Sequence, residues 1–247
     1  MWNVILIRAL KTSQIELSGL QLPKIGTITG INDDGSYRQG PISGLGGPFE
    51  TAAEFFRAWS AKVEFGLSQD EVREAAGPFT DEVSASALSF KKMVYDLAGG
   101  LSIRNEGPFP LCHGDFGHNN IIFDDRYRLL GVIDWEGAFA GPWEISGEFP
   151  LTLYMVPPAM DVPWNYDEDG LPKDADVRQR LVDREEYIAA VADGERRRGL
   201  KEGYNLSSAL RDSQRQYLAT AMRLYQEGKP GWFSKVMENF PLSHIAR

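Results

Sequence analysis

The residues able to do chemistry crowd into two short stretches: Leu111-Cys112-His113-Gly114-Asp115-Phe116-Gly117-His118-Asn119-Asn120 and Gly131-Val132-Ile133-Asp134-Trp135. Two carboxylates and one carboxamide sit at the ends of apolar runs, and their oxygens accept protons and ligate hard cations. Two rival readings use the same residues. Cys112, His113, Asp115 and His118 are all zinc-ligand types, and a catalytic zinc takes three such ligands plus water. Neighbours on an extended strand point to opposite faces, however, which sets Cys112 against His113 and makes Cys112 a small core hydrophobe and His118 an exposed loop residue. Asp115 and Asn120 are also ordinary turn-capping types. Taken singly that reading suffices for each; taken jointly it leaves the spacing and Ile133-Asp134-Trp135 to coincidence. His244 carries no signal.

The spacing resembles the catalytic loop of protein kinases, H-R-D-x-x-x-x-N followed by a later aspartate. The His-Gly-Asp start, the Asn five positions on and the Ile-Asp-Trp look like the aminoglycoside phosphotransferase and choline-kinase-type superfamily. The hairpin before it and Gly40 to Trp59 resemble fungal members, so the likeness runs over roughly residues 24–153. It implies ATP-dependent phosphorylation of a small molecule's hydroxyl. Asp115 and His113 are then the catalytic pair, Asp115 orienting the hydroxyl and accepting its proton, His113 holding the loop rather than moving protons. Asn120 and Asp134 bind the cofactor side, Mg2+ with ATP. Family members often carry an aspartate shortly after the Gly-Pro that is Gly141-Pro142 here; this chain offers Glu144 or Ser146. Glu136, Glu144 and Glu148 read as solvated loop carboxylates, with a hold on a cationic substrate as the other option.

These loops need a scaffold. Met1 to Leu10 fits a strand or helix fragment, and Lys11 to Leu22 finishes a helix that Pro23 breaks. Ile25 and Ile28 lead into the turn-rich Asn32-Asp33-Asp34-Gly35, with Tyr37 to Ile42 returning as a partner strand and Gly44 to Pro48 as a loop. The spacing predicts amphipathic helices over Thr51–Phe65 and about Thr80–Ala98, the latter capped by Thr80 and ended by Gly99-Gly100. Short strands follow at Phe109–Cys112, Asn120–Phe123 and Leu129–Ile133. Pro157 to Lys173 reads as a surface loop or flap, Asp174–Arg198 and Leu206–Gln226 as helices, and Trp232–Phe240 as a last one.

Composition bounds the rest. A 247-residue chain that is 43% hydrophobic can bury a sizeable core. With 35 acidic against 26 basic residues and a pI near 4.9 it lacks the charge of a nucleic-acid binder. Its single cysteine, the absence of a charged leader and the lack of a long apolar stretch point to a cytoplasmic protein with no membrane partner.

The fold expected is α+β: a kinase-like C-terminal lobe, mainly helical, with short hairpins carrying the two loops. It spans 1–247, with a catalytic loop at 111–123, a metal loop at 131–136 and a helical region at 174–240. A complete nucleotide-binding N-lobe is not expected, since Gly26 to Gly35 lacks both G-x-G-x-x-G and a strand lysine. The expected function is therefore a small-molecule hydroxyl kinase, truncated and weak or inactive as this chain. The alternative is an inert kinase-like lobe that binds a metabolite, or a protein partner on the surface an N-lobe would cover.

Overall fold

The computed structural model describes residues 2–126, 128–200, 205–238 and 240–242. Helix α1 (Trp2–Gly19) is followed by β1 (Gln21–Leu22) and the hairpin β2 (Thr27–Ile31) and β3 (Tyr37–Gly40). Three helices come next: α2 (Ala52–Lys62), α3 (Gln69–Ala76) and α4 (Thr80–Leu101). The strands β4 (Phe109–Cys112), β5 (Ile121–Phe123), β6 (Leu129–Val132) and β7 (Phe139–Ala140) then carry the candidate loops. Four helices follow, α5 (Trp143–Ser146), α6 (Ala175–Arg197), α7 (Leu206–Arg211) and α8 (Ser213–Gln226). The architecture is α+β and mainly helical, as expected of a kinase-like lobe. Among the described residues the sheets are small and antiparallel: β1-β4-β7, β2-β3 and β5-β6.

Local chemistry accounts for most element ends. Thr51 caps α2 reciprocally with Glu54, and Asp174 caps α6 by accepting from the amides of Asp176 and Val177. The β2–β3 turn closes on Gly35 at φ +83°, with the Asp34 carboxylate accepting from the Ser36 amide at 2.9 Å.

Several boundaries differ from the sequence expectation. Helix α1 is continuous from Trp2 to Gly19. Helix α2 stops at Lys62, where Val63 turns extended. Thr80 does not cap α4; it lies in the first turn, its hydroxyl donating to the Gly77 carbonyl. Helix α4 also runs through Gly99-Gly100, because Leu101 is fully buried and its burial, about 1.5–3 kcal/mol, matches the cost of roughly 1 kcal/mol per helical glycine. The stretch expected as one helix over Leu206–Gln226 breaks at Asp212, whose carboxylate accepts from the Arg215 amide and so caps α8. Of the helix expected over Trp232–Phe240, the described residues form a 3-10 turn at Phe233–Val236. The Pro157–Lys173 excursion is not a free flap: it folds into two 3-10 turns and buries Met160. His244 lies outside the described residues.

Two apolar clusters flank the candidate loops. In the larger, α2, α4 and α8 interlock through aromatic rings, Trp59 against Phe90 at 6.0 Å and against Tyr225 at 5.5 Å. The smaller joins α1, α6 and α7 through Leu10, Ile15, Tyr187, Val191 and Leu210. Phe116 packs against both. The residue beside Asp115 therefore pins the loop where the two cores meet.

Candidate active site

Strand β4 is buried along its whole length between β1 and β7, Leu111 pairing with Ala140 and Pro110 with Gln21, and so delivers His113 to a fixed place. The His113 ring is buried, with Nε2 2.7 Å from the Ile133 carbonyl oxygen. A carbonyl has no proton to give, so Nε2 carries it and donates. Nδ1 is buried without a partner. The ring lies 4.7 Å from the Trp135 ring, and the Trp135 indole donates to the Val132 carbonyl at 2.8 Å.

Gly114 adopts φ +84°, and a Cβ there would lie 2.5 Å from the Gly137 carbonyl oxygen. Only glycine allows that backbone approach. Below, the Gly114 carbonyl accepts from Arg223 at 3.2 Å, and Arg223 is paired with Glu148 at 2.7 Å. The backbone carbonyl of Glu148 accepts from Gln14 at 2.7 Å, so α1 and α8 both support the loop.

The Asp115 side chain is exposed, while its backbone carbonyl accepts from Asn120 Nδ2 at 2.8 Å. Asn120 is buried and also turns toward Asp115 Oδ2, at 3.5 Å. The Asn120 backbone carbonyl accepts from the Ile133 amide at 3.0 Å. Asp134, the next residue, is exposed at φ 69°, ψ 54°, the one non-glycine residue with positive φ among those described. Aspartate tolerates this left-handed conformation better than most types. His113, Asp115, Asn120 and Asp134 are thus brought together, linked through Ile133. Beside them Ile122, Leu130, Ile133 and Trp135 form an exposed apolar rim.

The zinc arrangement does not assemble. Cys112 Sγ donates to the Phe139 carbonyl at 3.2 Å, His113 faces Ile133, and His118 Nδ1 lies 3.0 Å from the Thr152 hydroxyl. Among the described residues no three His, Cys, Asp or Glu side chains group closely enough to hold a metal ion. Burial pushes the Cys112 thiol up to about 11.

The carboxylates after Asp134 are not all the solvated loop groups expected. Glu136 is exposed, but Glu144 and Glu148 are buried and engaged. Glu144 accepts from the Ile103 amide and the Ser102 hydroxyl, both at 2.8 Å, with Arg215 at 3.4 Å. Burial holds its carboxyl above the usual range against these contacts. Ser146 donates to the Pro110 and Gly141 carbonyls, fixing β4 from behind. The Glu148–Arg223 brace escaped the sequence reading, although a signal existed: Gln216, Thr220 and Arg223 form a polar stripe at helical spacing beside the apolar residues of α8. All three reach residues 147–149.

Residues 49–144 match the family model described as "Phosphotransferase enzyme family". The match takes in all four site residues and is narrower than the 24–153 stretch suggested by motif. The likeness to the aminoglycoside phosphotransferase, kinase-like superfamily therefore holds over α2 to the start of α5. Searches of curated proteins and of solved structures found no match.

Proposed function

We propose that this chain carries the catalytic loop of an ATP-dependent phosphotransferase acting on a hydroxyl of a small molecule. The observation that carries the reading is the position of Asn120, whose side-chain amide donates to the Asp115 backbone carbonyl and whose backbone carbonyl accepts from Ile133, next to Asp134. One buried residue, through its side chain and its backbone, thus sets the spacing between two exposed carboxylates.

The residues fit a magnesium ion. Asn120 Nδ2 is engaged by Asp115, which leaves Oδ1 as a neutral ligand, and the Asp134 carboxylate has no ion-pair partner among the described residues. Magnesium prefers such oxygens, bound through one or two protein groups together with substrate phosphates. When bound it neutralises charge on the phosphate oxygens. Asp115 accepts a hydrogen bond from the acceptor's hydroxyl and orients the oxygen in line. The new O–P bond forms as the bond to the β-phosphate oxygen breaks, the proton passes to Asp115, and ADP leaves with the electron pair. His113, the Gly114 backbone and the Glu148–Arg223 pair hold that geometry, and positioning is most of what phosphoryl transfer needs.

The described sheets have three, two and two strands, none a five-stranded sheet bearing a phosphate-gripping lysine. We accordingly expect slow transfer by this chain alone, with nucleotide held mainly through metal and loop. Calorimetric titration of Mg-ATP into the purified chain tests the reading. Saturable binding that Asp134→Ala removes and Asp115→Asn retains is the expected result. A folded chain that binds no nucleotide, or an Asp134→Ala variant that binds unchanged, would overturn it.

A further inference from the structure

A cavity of about 480 Å3 lies behind the candidate loop, within the ~300–1,000 Å3 typical of small-molecule sites. Cys112, His113, Gly114 and Phe116 form part of its wall, whereas Asp115, Asn120 and Asp134 do not. It is therefore separate from the side on which phosphoryl transfer is proposed, and the inference does not depend on that reading.

The walls specify an occupant. Leu17, Phe55, Trp59, Phe139, Phe149 and Met222 give a mostly apolar, aromatic interior. Apart from His113 Nδ1, the buried polar groups named here are already committed within the protein. Gln14 donates to the Glu148 carbonyl and accepts from Tyr187 at 2.8 Å, Ser146 donates to two backbone carbonyls, and Glu148 neutralises Arg223. At the exposed edge Glu64 is answered by Lys91 at 3.3 Å.

Lys62 differs. Its ammonium donates to the Leu45 carbonyl at 2.7 Å, but among the described residues no carboxylate stands within ion-pair distance. An ammonium has three donors, so two remain for an occupant. The exposed Gln226 side chain lines the same edge, its amide oxygen taken by the Trp59 indole at 3.4 Å and its amide nitrogen still able to donate.

From an apolar interior, a polar wall whose charges are paired internally and donors at the mouth, we infer that this cavity binds a small amphipathic carboxylate, its ring or chain inside and its anionic end on Lys62. An anionic end gives the ammonium a charge-assisted partner that a neutral or cationic end does not. The occupant also rests against Cys112 and Gly114, so binding shields the thiol.

Three probes sharing one naphthalene body separate the alternatives: 2-naphthylacetate, its primary amide, and 2-naphthylethylammonium, each titrated calorimetrically into the full chain. The acetate is expected to bind saturably, one per chain. The amide should be weaker by roughly tenfold, as befits loss of one charge-assisted contact, and the cation should not bind. Lys62→Met should bring the acetate down to the amide's affinity, and Lys62→Arg should retain it. Ala219→Leu, which narrows the cavity, should weaken acetate and amide alike. Bound acetate should also slow thiol labelling at Cys112. No saturable binding by the folded chain, equal affinity for acetate and amide, or acetate affinity unchanged in Lys62→Met would each overturn the proposal. Since Lys62 is exposed, its variants remain readable even if Ala219→Leu does not fold.

Discussion

His113 donates from Nε2 to the Ile133 carbonyl across 2.7 Å, so the first residue of one candidate loop holds the residue before Asp134 in the other. Ile133 is clamped on both sides, its amide donating to Asn120 at 3.0 Å. Removing the donor removes this bond, worth about 0.5–1.5 kcal/mol. His113→Ala should lower the urea midpoint accordingly and weaken Mg-ATP binding without touching a phosphate. His113→Gln, whose amide nitrogen reaches about as far as Nε2, should recover part of both losses, and His113→Asn, which is shorter, should not. Equal behaviour of the Gln and Asn variants would remove the bond to Ile133 from the account.

Cys112 offers a probe of the same loop, being the chain's single cysteine and buried beside His113. With its thiol pushed up to about 11, it should react with a thiol reagent near pH 8 roughly two orders of magnitude more slowly than a free cysteine. Gly114→Ala should speed that reaction strongly. The added Cβ meets the Gly137 carbonyl at 2.5 Å and the residue must hold φ +84°, so the loop has to shift. Asp115→Asn alters only an exposed side chain and should leave the labelling rate unchanged. If Gly114→Ala labelled no faster than wild type, the interlock between the two loops would be weaker than the geometry indicates.

How far the sequence revealed this arrangement depends on range. The constellation His113, Asp115, Asn120 and Asp134 stood out because its members lie within 22 residues of one another and keep a fixed spacing, and the structure brings them together. The β2–β3 hairpin was legible from turn chemistry, and α2 and α6 from apolar residues at helical spacing against a charged face. Helix α3 was overlooked although Ser68 and Glu71 spell a capping box, since its one buried residue, Val72, leaves no apolar stripe. Glu144 and Glu148 were misread for a different reason: their partners Arg215 and Arg223 lie about 70 residues downstream, and nothing local distinguishes a carboxylate paired across the core from one in solvent.

Glu144 also predicts a pH dependence. Burial raises its carboxyl above the ordinary value of 4.5, opposed by the Ile103 amide, Ser102 and Arg215. The folded state therefore binds this proton more tightly than the unfolded state. The stabilisation is complete below the unfolded value and is lost as pH rises through the folded one. Stability of the wild-type chain should carry a component that declines upward from about pH 4.5, and Glu144→Gln should lack it. Urea midpoints of both proteins across this range check the sign: the gap between them should change with pH in favour of the variant at the higher end, and parallel curves would reject a raised carboxyl.

The Glu148–Arg223 pair makes the sharpest demand on stability, because it ties the Gly114 carbonyl to α8 through a largely buried ion pair. Glu148 is nearly buried and Arg223 is 27% exposed, so losing one partner strands a charge that water reaches only in part. Glu148→Met should cost about 2–3 kcal/mol, below the 3–5 typical of fully buried pairs because of that exposure. Arg223→Met should cost a similar amount and also free the Gly114 carbonyl, so it alone should speed Cys112 labelling markedly. The double variant leaves no stranded charge and should lose less than the sum of the single changes. Additive losses in that cycle would mean that the two side chains act independently, with Arg223 holding Gly114 whether or not Glu148 is present.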